Sequence, residues 1–332
     1  MHEPSFWWRN AGIQSAGLAP AATIYGAVAA YRMGRKGRAA GVPVICIGNL
    51  TVGGAGKTPT ALALGRMLIN AGRRVVFLSR GYGGTVKAPM RVDPVHHSAA
   101  EVGDEPLLLA RLAPTIVSPD RVAGAEMARA AGASTIVMDD GFQNPSLRKD
   151  LSIVVIDGRR GIGNGRVIPA GPMRAPLRTQ MRHADALLIL GTPSPLCDAA
   201  IAEAQVRGIP VLQGRLEAEA DAVSALTGHR VLAFAGIGDP AKFFSTLAEA
   251  GISAPVTQGF PDHHRFSRAE AEALVERAAR ENLVLVTTEK DLVRIARDPE
   301  VAALSKVTRA LPATLLLDDE DTLRQLLFDK TA

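Results

Sequence analysis

Residues 42–65, VPVICIGNLTVGGAGKTPTALALG, leave this chain little choice of fold. An apolar run reads as a buried strand, a glycine-rich loop follows at once, and an amphipathic run closed by Gly72 reads as a helix. That order is what a phosphate cradle requires. Gly53, Gly54 and Gly56 let backbone N–H groups approach an anion, and Lys57 adds a point charge. Thr58 offers a hydroxyl to Mg²⁺, and Pro59 opens the helix where a missing N–H costs nothing. The strict pattern G-x-x-x-x-G-K-[ST] wants glycine where Thr51 stands. Gly54 already supplies a flexible point, so the cradle is read as Thr51, Val52, Gly53, Gly54, Ala55, Gly56, Lys57 and Thr58.

The same alternation continues along the chain. RRVVFLSRG, PTIVSP, STIVMDDG and LSIVVIDG read as strands, with TPTALALGRMLINAG, GDEPLLLARLAP and RVAGAEMARAAG as helices between them. Strands alternating with helices imply a doubly wound parallel sheet, with functional loops at the carboxyl ends of its strands. A second α/β series follows: DALLIL, IPVLQG, RVLAFAGIG, PVTQGF, LVLVTTEKD and ATLLLD. The expected division is an arm over 1–40, a phosphate-loop domain over 41–157 and a smaller domain over 158–332, whose final segment could return to the first.

A phosphate loop needs a carboxylate near its magnesium. The acids Asp139 and Asp140 end an apolar strand as a Walker B strand does. Asp104 and Glu105 in GDEP form another adjacent pair, whose plainer role is to start a helix. With two such pairs, one could hold metal while the other accepts a proton from an attacking hydroxyl. PDHHRF gathers His263 and His264, more often a polar surface loop than a catalytic one. Guanine recognition through N-K-x-D is absent, which favours ATP.

With 332 residues and a net charge of +5, the chain is a modestly basic globular protein. It has no zinc-ligand spacing and no basic run interleaved with aromatics, so nucleic acid is a poor partner. Cys46 and Cys197 read as small core residues of a reduced cytosolic protein. Before the loop, no charge falls between Arg9 and Arg32, yet Pro20, Gln14 and many Ala and Gly make the stretch weakly apolar. Trp7, Trp8, Tyr25 and Tyr31 suit a membrane interface, and Arg32, Arg35, Lys36 and Arg38 suit anionic headgroups. An ordinary helix packed on the domain fits the stretch equally well.

In order along the chain stand GNLTVGGAGKTPT, LSRGYGG, VGDEPLLLA, VMDDGFQN, GNGRVIPAGPMR, AFAGIGDPAKFF, FPDHHRF and VTTEKD. This series resembles the tetraacyldisaccharide 4′-kinase family of lipid A biosynthesis, whose loop is similar to G-N-x-x-x-G-G-x-G-K-T and so accounts for Thr51. The resemblance implies a P-loop NTPase-type parallel sheet within two α/β/α sandwich domains, an active site in the cleft between them, and a membrane-associated N-terminal helix. It implies ATP- and Mg²⁺-dependent phosphorylation of the 4′-hydroxyl of a tetraacylated glucosamine disaccharide 1-phosphate. The product would be lipid IVA, made at the cytoplasmic face of a bacterial inner membrane by an enzyme held peripherally or by one helix. Phospholipid is the implied second partner, with no obligate protein partner.

By the same resemblance Lys57 and Thr58 serve phosphate and magnesium, Asp104 is the base and His263 its partner, with His264 as the alternative. Glu105 and Asp139 are the implied magnesium-side acids. Asp140 and Gln143 line the cleft, and Arg80 and Arg174 clamp phosphate. The family usually continues GPMR with Glu-Pro, where this chain has Ala175-Pro176. Two other readings compete: a kinase of water-soluble small molecules, and a membrane-associated nucleotide switch.

Overall fold

In the computed structural model, which describes residues 3–331, the chain builds two sheets. The strands are β1 (Val44–Gly48), β2 (Val75–Ser79), β3 (Met90–Arg91), β4 (Thr115–Val117), β5 (Thr135–Asp139), β6 (Leu151–Asp157) and β7 (Ala186–Leu190). They continue as β8 (Val211–Ala218), β9 (Arg230–Ala235), β10 (Ser253–Gly259), β11 (Val284–Thr288), β12 (Thr308–Leu311) and β13 (Ala313–Leu317). The larger sheet runs β13-β8-β7-β6-β1-β5-β2-β4-β3 and the smaller β10-β9-β11-β12. Pairing is parallel except at the two edges of the larger sheet, where β3 and β13 run antiparallel.

β1 is buried along its whole length, as a strand covered on both faces must be. Ile45 and Ile47 pack with Leu64 and Leu68 of the helix Lys57–Asn70. Val44 and Cys46 face the opposite layer, with Ala125 and Ala128 of the helix Arg121–Ala130. Each fully buried aliphatic side chain contributes about 1.5–3 kcal/mol, so the strand that delivers the phosphate loop is among the best anchored. Both cysteines are unbonded and buried, and burial pushes the Cys46 thiol up to about 11.

The expected boundary at residue 157 does not divide the sheets. It falls at the end of β6, and β7 and β8 extend the same sheet by parallel pairing. The smaller sheet holds only residues between 230 and 311, inserted between β8 and β13. Strand–helix alternation looks alike in both sheets, so sheet membership depends on long-range pairing that local pattern does not carry. The two chain crossings lie side by side: Ala218 pairs with Ala313, and the Glu219 amide donates to Pro312 O at 3.0 Å.

The units also meet through packing. Val293 of the helix Glu289–Ala296, from the smaller unit, joins Val102, Leu107, Leu108 and Val117 of the larger in one cluster.

The arm divides into a docked part and an exposed one. Trp7 is buried, and its indole N–H donates to Pro169 O at 3.0 Å, while the Arg160 guanidinium lies 4.8 Å over the Trp8 ring. These tryptophans are therefore held by the loop 158–176 rather than offered to a bilayer. The arm helix Ala19–Met33 packs Gly26 near Pro176 and exposes Ile24, Tyr25, Val28 and Tyr31. Its 15 residues reach about 22 Å, short of the ~30 Å hydrocarbon layer. No helix among the described residues is long and apolar enough to cross a membrane.

Candidate active site

The chain leaving β1 turns toward β2, whereas the chain entering β6 crosses to the other side of β1. Such a switch opens a crevice at the carboxyl ends of the strands, and the phosphate loop fills it. Gly56 caps the helix Lys57–Asn70 at φ 89°, and a Cβ there would stand 2.4 Å from Leu190 Cδ1. Asn49 Nδ2 donates to Gly53 O at 3.2 Å, tying the loop to itself. Thr51 forms an antiparallel bridge with Met173, and Arg174 Nε donates to Thr51 O at 2.9 Å. At that position the backbone pairs as a strand does, which suits a β-branched residue and needs no glycine.

β5 lies beside β1 with Ile47 opposite Asp139, and so brings its terminal acids to the loop. Thr58 Oγ1 donates to Asp139 Oδ2 at 3.2 Å. The other oxygen, Oδ1, is buried without a partner, and burial raises the Asp139 carboxyl above its ordinary value. A buried carboxylate oxygen with no donor costs about 1–3 kcal/mol, and beside a hydroxyl it makes a donor set suited to Mg²⁺. Asp140 adopts φ 54°, rare for a residue with a side chain. Arg174 grips it with Nη1 at 2.8 Å and Nη2 at 3.3 Å, and Lys57 Nζ lies 3.7 Å away. Burial alone would raise Asp140, but Lys57 and Arg174 hold it well below the usual carboxylate range. Burial in turn lowers Lys57.

The remaining expected contacts differ in kind. Arg80 is exposed just past β2 and makes no side-chain hydrogen bond or ion pair among the described residues. Gln143 donates to Asn49 O at 2.7 Å and to Gln180 Oε1 at 2.8 Å, so its amide supports the loop from beneath.

A second cluster forms where the smaller unit meets the helix Asp104–Ala110. His263 Nδ1 lies 3.3 Å from Asp104 Oδ2, its ring rests on Tyr82 at 5.0 Å, and its backbone takes φ 54°. Arg294 Nη2 also donates to Asp104 Oδ2, and the Glu105 amide donates to Oδ1 at 3.0 Å. Against the push of burial, the hydrogen bonds from the His263 and Glu105 side chains and the charges of Lys290 and Arg294 hold Asp104 well below its ordinary value. The hydrogen bond to Asp104 raises His263 above its own.

Glu105 pairs with Lys290 Nζ at 2.9 Å, yet burial and Asp104 push its carboxyl up to about 7. The expectation that Glu105 serves metal meets that ion pair. Donor atoms of Asp104, Glu105 and His263 lie within 4.8 Å of one another, but Lys290 and Arg294 already occupy the carboxylates. Asp139, with Oδ1 free of any partner and Thr58 Oγ1 on its other oxygen, is the acid with room for a cation. His264, the alternative to His263, is engaged elsewhere: Nε2 reaches Glu270 at 3.0 Å and the ring stacks on Phe260 at 4.8 Å.

The two clusters belong to one cleft. A Cβ on Gly238 would lie 3.4 Å from the Gly54 amide nitrogen, which places the loop after β9 against the phosphate loop. Lys242 Nζ bonds Asp157 Oδ2 at 2.8 Å, and Asp239 pairs with Arg159 and Arg160 across the same gap.

Residues 14–332 match the sequence profile of the family described as tetraacyldisaccharide-1-P 4′-kinase. The chain belongs to that family. It is 51% identical over 332 residues to the tetraacyldisaccharide 4′-kinase of Nitrobacter winogradskyi, covering 100% of this chain and 98% of the relative. The corresponding protein of Rhodopseudomonas palustris is 53% identical over 327 residues, covering 98% and 95%. A crystal structure of LpxK from Aquifex aeolicus in complex with ATP superposes with a TM-score of 0.74 at 28% identity, covering 96% of this chain and 100% of that one.

Among tetraacyldisaccharide 4′-kinase motifs, GPMR-Ala-Pro was the departure that left Arg174 without an obvious acid. The structure supplies one from another strand, Asp140, and buries Ala175 completely. Sequence reasoning missed Arg121, buried with Nη1 on Ser118 O at 2.6 Å and Nη2 on Asp140 O at 3.3 Å. It also missed the work of TTEKD. Asp291 accepts from the Gly236 amide at 3.1 Å and from Arg294 Nη1 at 2.6 Å, while Lys290 and Arg294 reach Glu105 and Asp104. The signal was present as helical spacing, since residues four apart share a face.

Proposed function

We propose that this chain transfers the γ-phosphoryl group of ATP to the 4′-hydroxyl of a tetraacylated glucosamine disaccharide 1-phosphate, giving lipid IVA. The observation that carries this reading is the His263–Asp104 pair in the same cleft as the phosphate loop. A nucleotide switch has no use for a buried acid–imidazole pair on the acceptor side. The backbone amides from Gly53 to Thr58 and the Lys57 ammonium hold the phosphates. Thr58 and Asp139 would hold Mg²⁺, which supplies charge neutralisation on the phosphate oxygens.

The roles of Asp104 and His263 are best divided by their occupancy. Asp104 already accepts from His263, Arg294 and the Glu105 amide, so it orients the ring and stabilises an imidazolium. The Nε2 atom of His263, 3.9 Å from Asp262 Oδ1, is the atom left to receive the hydroxyl proton. General-base assistance of this kind contributes about 10²–10⁴-fold. Arg80, which follows β2 and has no ion pair among the described residues, and Arg174, held by Asp140, supply guanidinium groups for substrate phosphate. The exposed apolar face of the arm helix lies on the cytoplasmic side of the inner membrane, where the acceptor's acyl chains are.

The deciding experiment incubates the protein with ATP, Mg²⁺ and the disaccharide lipid and follows the lipid mass. Gain of one phosphate is expected. ATP hydrolysis with no phosphorylated lipid would return the reading to a nucleotide switch.

A further inference from the structure

The helix Glu289–Ala296 brings two cations to the acceptor-side acids, and they are held differently. Arg294 is closed in. Its side chain is 9% exposed, and its donors go to Asp104, Asp291 and the carbonyls of Gly236 and His264. Lys290 stands one turn earlier on the same face and keeps 30% of its side chain open. A lysine ammonium has three N–H donors, and among the described residues Lys290 Nζ has one partner, Glu105 Oε1 at 2.9 Å. Burial would lower Lys290, but Glu105 and Asp104 raise it, so it stays charged at neutral pH. Two donors of a charged, partly open side chain therefore remain for a ligand.

Where that ammonium sits narrows the ligand. Donor atoms of Asp104, Glu105 and His263 lie within 4.8 Å of one another, so Lys290, on Glu105, is beside the pair that receives the hydroxyl proton. Its charge also reaches the phosphate side. Burial lowers Lys57 and raises Asp139, and the Lys290 charge adds to the first effect and opposes the second. What passes from the Lys57 side to the His263 side is the γ-phosphoryl group. In that transfer the bond between the γ-phosphorus and the β–γ bridging oxygen breaks, and a bond from the acceptor oxygen to phosphorus forms. The hydroxyl proton goes to His263 Nε2, and ADP leaves with the electron pair of the broken bond. Meanwhile charge spreads over the three equatorial oxygens, which phosphoryl-transfer sites often meet with a cation from outside the phosphate loop.

We propose that Lys290 is a catalytic residue, a second lysine supplied by the smaller unit whose ammonium binds the equatorial oxygens of the γ-phosphoryl group during transfer. The assignment deepens the kinase reading above and rests on it. A lysine that served only to neutralise Glu105 would have no preference for a nucleotide with a γ-phosphate, and that difference can be measured.

The test measures, on the full-length protein, equilibrium binding of ADP and of a nonhydrolysable ATP analogue with Mg²⁺ by calorimetry, and lipid phosphorylation separately. Lys290→Met should leave ADP affinity near wild type and weaken the analogue about tenfold, the loss of a charge-assisted hydrogen bond. It should lower kcat by about 10²-fold with the lipid KM unchanged, as removal of one transition-state donor does. Lys290→Arg keeps the charge and should recover part of both losses. The double variant Glu105→Gln/Lys290→Met leaves no buried acid unpaired, and it carries the same expectation for the ratio of the two affinities should the single variant not fold. Binding needs no turnover. A wild-type protein that binds ATP and phosphorylates no lipid would fail the kinase reading, while the affinity ratio still decides Lys290. A folded variant without Lys290 that discriminates the analogue from ADP as wild type does overturns the proposal, even where kcat falls, because Lys290 would then act only through Glu105.

Discussion

Two pairs of adjacent carboxylates, Asp139–Asp140 and Asp104–Glu105, look alike in sequence and are held in different ways. In each pair one acid is kept ionised by cations and the other is pushed up by burial. Two neighbouring buried carboxylates cannot both be freely charged, so the allocation of cations decides which one is. The difference lies in where the cations come from. Lys57, Arg174 and Arg121 reach Asp140 from the larger sheet and its loops. His263, Lys290 and Arg294 reach Asp104 and Glu105 entirely from the unit of the smaller sheet. The phosphate side is thus complete within one unit, whereas the acceptor side exists only while two units touch.

The largest test of this contrast strikes the self-contained side. Lys57→Ala should lower kcat by about 10³-fold or more, since the lysine neutralises phosphate charge, with thermal unfolding nearly unchanged. Retained turnover would remove the loop from the mechanism. Next, His263→Ala should lower kcat by about 10²–10⁴-fold while ATP affinity, measured by equilibrium binding, stays near wild type. Equal loss of both would mean the two sides are not separable.

The pH profile sharpens the comparison further. A base works when deprotonated, so kcat/KM should climb as pH rises through the His263 pKa, which Asp104 raises above about 6.5. Asp104→Asn removes the charge that favours imidazolium, and the rising limb should move to lower pH along with a fall in rate. A limb that stays in place would reverse the division of roles. Arg294→Met should act more weakly, costing about tenfold in kcat, because Arg294 works at one remove, holding Asp104 and Asp291 and bonding the carbonyls of Gly236 and His264. His264→Ala should leave turnover within about twofold and cost about 1 kcal/mol in unfolding experiments, through its Glu270 bond and Phe260 stacking.

Much of this was readable in the chain because phosphate chemistry sits on contiguous residues. GGAGKT, MDD, GDE and PDHH each place their side chains by local geometry alone, a strand end or a helix start. What stayed hidden depends on partners far away in sequence. Lys290, Asp291 and Arg294 are ordinary residues of an amphipathic helix until Val293 docks that helix beside Asp104. The sheet boundary was misplaced because β7 reads like any buried strand, and only its pairing with β6 assigns it. Trp7 looked like an interface anchor until its indole met Pro169 O.

The paired crossings at Ala218–Ala313 give the molecule a joint with few degrees of freedom. The chain enters and leaves the smaller unit at that one seam, so the whole unit is a single insertion fastened to the larger sheet at its edge. Gly238 beside the phosphate loop and His263, Lys290 and Arg294 around the acceptor-side acids all belong to that insertion. One insertion therefore contributes a wall to the nucleotide side and every cationic partner to the acceptor side, and a substitution that loosens the seam would disturb both at once.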